Sequence, residues 1–97
     1  MRFTQHIVIH ADDAEALIDL VRAWQESETA GQSGNLGGRL LAFRDQPGRY
    51  VLQADFSSFE DAEVNNERPE TQAWAARLLE LIEGEPKYEN LDVLADF

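Results

Sequence analysis

The chain contains no cysteine, a single lysine (Lys87), two histidines and no long apolar run. Without cysteine there are no disulfides, no thiolate nucleophile and no thiolate metal site. Lys87 is joined by seven arginines scattered along the sequence, against 19 acidic residues, for a net charge of −11. That balance forms no basic patch, and it argues against nucleic acid or an anionic membrane as a partner. The opening "MRFTQHIVIH" has an apolar run of only three residues. A secretory signal needs roughly 7–15, and a membrane span needs ~18. A cytoplasmic protein is expected.

What is present suits one small globular domain, residues 1–97. Apolar residues make up 43% of the chain, enough for a core. At this size much of a monomer's surface stays wet, which favours oligomerisation. From Phe3 to Ala11 the residues alternate, with Phe3, Ile7, Ile9 and Ala11 on one side and Thr4, His6, Val8 and His10 on the other. The period then changes. Asp12 and Glu15 resemble a capping box, and Leu17, Leu20, Val21 and Trp24 form the stripe of an amphipathic helix reaching about Ser27. "TAGQSGNLGG" reads as a loop; it follows a helix and carries no lysine, unlike a phosphate cradle.

"GRLLAFRDQPGRYVLQADF" reads as a hairpin turning at Pro47-Gly48, which predicts positive φ at Gly48. Tyr50, Leu52, Ala54 and Phe56 give the second arm an apolar side. In the first arm either Leu41 and Phe43 or Leu40 and Ala42 could face inward. Ser57 with Glu60 suggests a second capping box and a short helix to about Asn65. Pro69 would open a longer helix with Trp74, Leu78, Leu81 and Ile82 buried, closed by Gly84 in the left-handed conformation. "KYENLDVLADF" is the final strand, with Leu91, Val93 and Ala95 opposed to Tyr88, Asn90, Asp92, Leu94 and Asp96.

The order β-α-β-β-α-β is that of a ferredoxin-like α+β sandwich: a four-stranded antiparallel sheet with helices on one face. The uncovered face would gather Thr4, His6, Val8, His10, Val51, Gln53, Asp55 and Tyr88 among others. Such a mixed surface is best covered by a second copy, so a homodimer is expected. Light scattering should then report a dimer.

The segment "VLQADFSSFEDAEVNNERPETQAWAARLLELIEGEPKYENLDVL" resembles the dimeric α/β-barrel superfamily, and within it the antibiotic-biosynthesis-monooxygenase-like group. The likeness lies in a strand, a serine cap, a short helix, asparagines before a proline, a longer helix and a closing strand. It implies a dimeric α/β barrel. It also implies either a cofactor-independent monooxygenase acting on an aromatic or enolisable small molecule, or a non-catalytic homodimer that binds a small molecule or is structural. No cofactor is expected. In the oxygenases an asparagine and a tryptophan belong to the second helical region; Asn65 or Asn66 and Trp74 match them. Haem-degrading members carry a histidine on that helix, and this chain has none there.

Four residues are therefore the candidate catalytic set: His6, His10, Asn66 and Trp74. A site would lie between the uncovered sheet face and the second helical region. A histidine could serve as general base for a phenolic substrate. His6 and His10 are not expected to share a metal within one chain. On a strand, four residues separate their Cα atoms by ~13 Å, too far for zinc–nitrogen bonds of about 2.0–2.1 Å.

Overall fold

The computed structural model describes residues 1–27 and 34–97, so the first half of the glycine-rich segment lies outside the described residues, and its end, from Asn35, is the start of a strand and not the expected loop. The elements are β1 (Phe3–His10), α1 (Ala14–Gln25), β2 (Asn35–Ala42), β3 (Arg49–Phe56), α2 (Phe59–Glu67), α3 (Pro69–Leu81) and β4 (Glu83–Asp92). The four strands form one antiparallel sheet in the order β2-β3-β1-β4, with β1 and β3 central as expected. The fold is the ferredoxin-like α+β sandwich.

Helix starts fall one residue later than the sequence pattern suggests. Asp13, not Asp12, caps α1 by accepting from the Ala16 N–H at 3.1 Å. Ser58, not Ser57, caps α2 by accepting from the Asp61 N–H at 3.1 Å. In both places neighbouring residues carry the same capping chemistry, and spacing alone does not separate them. Pro69 occupies the first turn of α3, where its missing N–H leaves no bond unmade.

The core lies between the sheet and the helices. Ile7, Ile9 and Ala11 from β1 and its end meet Leu17 and Leu20 of α1, Leu52 of β3 and Leu78 of α3. Phe3, Phe56 and Ala62 form a second cluster beside it. Leu40, paired with Leu52, packs on the core while Leu41 is exposed, which settles the first arm of the hairpin. The turn has the expected form: Arg49 N–H donates to Gln46 O at 3.1 Å, and Gly48 has φ of +84°.

The last strand departs from expectation. It begins at Glu83, and its pairing with β1 shifts between Val8 and His10, so that a bulge holds the residues between Glu83 and Lys87. Gly84 has φ of +71°, as predicted, but within this bulged strand rather than as a helix cap. The helix ends at Leu81, followed by extended Ile82. The register places Tyr88 opposite Ile7 and Asn90 opposite Gln5, on the helix-covered side, and Leu91 opposite Thr4 on the open side. The expectation from alternation was the reverse. Because side chains alternate with period two, a one-residue difference exchanges every side chain between faces.

Candidate functional site

A row of residues crosses the helix-covered side of the sheet in register: Gly38, Ala54, Gln5 and Asn90. The rows on either side carry Leu40, Leu52, Ile7 and Tyr88, and Phe56 and Phe3. A hydrogen atom and a methyl group where the neighbours have isobutyl and benzyl groups leave space under the helices. That space is a cavity of about 130 Å³. Gly38 is small for a further reason, since a Cβ there would lie 2.2 Å from the Gln53 carbonyl oxygen.

The walls come from the helices. The last turns of α1 supply Val21, Trp24 and Gln25, and the α2–α3 corner supplies Asn65, Asn66, Thr71, Trp74 and Ala75. The α1 stripe is therefore divided: Leu17 and Leu20 fill the core, and Val21 and Trp24 border the cavity. Trp74 donates its indole N–H to Leu20 O at 3.2 Å, which ties α3 to α1 and fixes the ring. Trp24 Nε1 is the one buried side-chain polar atom among the described residues without a hydrogen-bond partner. Asn65 is buried, and its Oδ1 accepts from the Thr71 hydroxyl at 3.2 Å. Asn66 is exposed, at the rim. Among the described residues none that borders the cavity is charged, although the chain as a whole carries −11.

Asn66 and Trp74 are thus brought together, with Asn65. His6 and His10 are not with them. Both point to the open face, on the other side of the sheet, so the expected grouping of the histidines with the second helical region is corrected. The cause is the strand itself: even-numbered residues of β1 face away from the helices. His6 Nε2 lies 3.1 Å from Gln53 Nε2, and Nδ1 is 3.9 Å from a Glu89 oxygen. His10 is exposed, opposite Arg49 and Glu83. No group of three or more potential metal ligands occurs among the described residues. No helix among them is long and apolar enough to cross a membrane.

Three polar residues of the cavity, among others, are not marked by the stripes and alternation. Gln5 signals itself by interrupting the apolar side of β1. Thr71 could be found only from its spacing to Asn65 across the helix corner. Tyr88 was assigned to the wrong face with the rest of β4.

No protein-family model matches the sequence, and no curated protein matches it. Solved structures do. An asparagine-to-alanine mutant of SnoaB, a cofactor-independent oxygenase from Streptomyces nogalater, is 20% identical, with 98% of this chain and 95% of that one covered and a TM-score of 0.78. A proposed antibiotic biosynthesis monooxygenase from Nitrosomonas europaea is 19% identical, with 96% and 90% covered and a TM-score of 0.77. Another from Caulobacter crescentus is 17% identical, with 97% and 91% covered and a TM-score of 0.76. At such identities the likeness is one of architecture: the chain has the ferredoxin-like α+β fold shared by antibiotic-biosynthesis-monooxygenase-like proteins.

Proposed function

We propose that the cavity under α1, α2 and α3 is a small-molecule site, and that the protein oxidises an enolisable aromatic substrate with dioxygen as a cofactor-independent monooxygenase. The observation that carries this reading is the position of Asn65, Asn66 and Trp74 on the wall of one uncharged cavity. Amide N–H groups near a substrate carbonyl favour its enolate, because fixed donors meet the charge that develops on oxygen. The enolate itself supplies the electrons. A carbon–oxygen bond forms with O₂, protonation gives a hydroperoxide, and loss of water leaves a new carbonyl. Two C–H bonds are replaced by C=O, and the second oxygen atom leaves as water. Trp74 offers a flat wall for the ring. The shared fold with SnoaB supports the assignment.

A second reading, non-catalytic binding of a small molecule, is favoured by one observation: among the described residues no histidine, carboxylate or lysine borders the cavity to act as general base. Oxygen uptake separates the two. With phenylacetone, a single-ring ketone with an enolisable benzylic CH₂, an oxygenase consumes O₂ above the buffer rate, and Asn65→Ala and Trp74→Phe each reduce that excess at least tenfold. Uptake equal to buffer with bound phenylacetone would leave only the binding reading.

We further infer a homodimer formed through the open sheet face, with His6 and His10 in or beside the interface. Support comes from the apolar row Leu41, Val51 and Val8, and from Leu91 opposite Thr4 further along the same face, on a side no described helix covers. The acidic, cysteine-free composition supports a cytoplasmic location.

A further inference from the structure

We propose that the cavity selects an uncharged, single-ring molecule bearing a carbonyl oxygen, and that Thr71 is the positioning residue that turns the Asn65 amide to receive that oxygen. The inference rests on the cavity being a ligand site, and is independent of any oxygen chemistry there.

Size sets the first part. An apolar cavity of about 150 Å³ accommodates benzene, and this one is about 130 Å³. One ring fills that volume, and a fused polycycle would reach out through the mouth into solvent. Charge sets the second part. A carboxylate in this cavity would meet no cation on the wall, and burying an unpaired ion is costly. The field of a chain carrying −11 opposes anions further.

Hydrogen bonding sets the third part. An asparagine amide has an acceptor end and a donor end. The Thr71 hydroxyl lies 3.2 Å from Asn65 Oδ1, an atom that can only accept, so the hydroxyl is the donor. Both side chains are buried. Thr71 thereby occupies the acceptor end and leaves the NH₂ group as what Asn65 offers a ligand. Trp74 has spent its N–H on Leu20 O. The other buried polar group on the wall, the Trp24 indole, is also a donor and has no partner among the described residues. The buried wall therefore has donors to give, which asks for an acceptor on the ligand.

The test uses three ligands of nearly one shape, followed by amide NMR titration of the whole chain. Acetophenone carries the carbonyl, α-methylstyrene replaces C=O with C=CH₂, and benzoate carries a charge. Acetophenone should bind about fivefold more tightly than α-methylstyrene, the size of one hydrogen bond, and benzoate should not bind. In Thr71→Val, of the same shape, the preference for acetophenone should vanish while α-methylstyrene binds as before; Thr71→Ser should restore it. Asn65→Asp, which replaces the donor with an acceptor, should abolish the preference as well, and it serves if Thr71→Val does not fold. Equal binding of acetophenone and α-methylstyrene to the unaltered protein would overturn the inference, as would tight binding of benzoate. An equal loss of both neutral ligands in Thr71→Val would reduce Thr71 to a structural role and overturn its part. Absence of shifts with all three ligands would overturn the cavity reading itself. Acetophenone preference without oxygen uptake would leave this inference standing and remove the oxygenase.

Discussion

Gly38 shows how one residue can serve both the sheet and the site. Its position on β2 allows the Gln53 carbonyl so close that a methyl group would overlap it. Its lack of a side chain also helps to open the cavity floor beside Ala54. Gly38→Ala should cost about 1–3 kcal/mol, in the range of overpacking, read as a lower urea midpoint at unchanged slope. An unchanged midpoint would show that β2 can move aside and that the close approach is not tight. Asn65 and Thr71 make the same point for polar groups. Each is buried on the helix side, and the bond between them meets the Thr71 hydroxyl and Asn65 Oδ1, which unpaired would cost about 1–3 kcal/mol, while the Asn65 NH₂ stays available to the cavity.

Among the elements, the helices were legible from period and capping chemistry, because apolar stripes at helical spacing have one physical outcome. Leu17, Leu20 and Leu78 are buried where the stripes placed them. The adjacent pair Leu78 and Leu79 gives a test, being 1% and 54% exposed. Leu78→Ala should cost about 2–5 kcal/mol, and Leu79→Ala no more than about 0.5 kcal/mol. Comparable costs for both would contradict the observed rotation of α3. The central strands were legible too, since β3 alternates and β1 breaks its apolar side only at Gln5. The final strand was not. Its apolar residues Leu91 and Val93 mimic an inward side, while the register follows from the bulge near Gly84, which no alternation reveals. With β4 reversed, Tyr88 moved to the helix side, and with it part of the cavity's border. Of the candidate site, the grouping of Asn65, Asn66 and Trp74 beside one another was legible. The separation of His6 and His10 from them was not, because helix region and open face are opposite sides of one sheet.

At the scale of the molecule, the open face combines an apolar row with a polar one. Leu41, Val51 and Val8 lie beside Arg39, Gln53, His6 and Glu89. Leu41 and Leu91 are 42% and 41% exposed in the single chain, so charging them should not disturb its core. The double variant Leu41→Arg with Leu91→Arg should convert a particle of twice the 11.0 kDa chain mass into a monomer by light scattering. Ligand binding in the helix-side cavity should survive that change if the cavity is complete in one chain. A mass that remains double would move the dimer interface elsewhere.

The bulge of β4 bears on how the protein behaves when crowded. β4 is one of the sheet's two outer strands, and an outer strand with free N–H and C=O groups can recruit another chain and seed fibrils. Glu83, Gly84, Glu85, Pro86 and Lys87 occupy the first half of that strand. Pro86 has no N–H to lend, the bulge bends the edge out of line, and three charges make a stacked copy repel. Removing the proline and one of the charges, with Glu85→Val and Pro86→Val, should leave the monomer's core intact and yet raise thioflavin-positive aggregation at high protein concentration. A variant as soluble as the parent would mean that this edge is guarded by something else. The same irregularity that hid the register of β4 thus keeps its outer side from becoming a template.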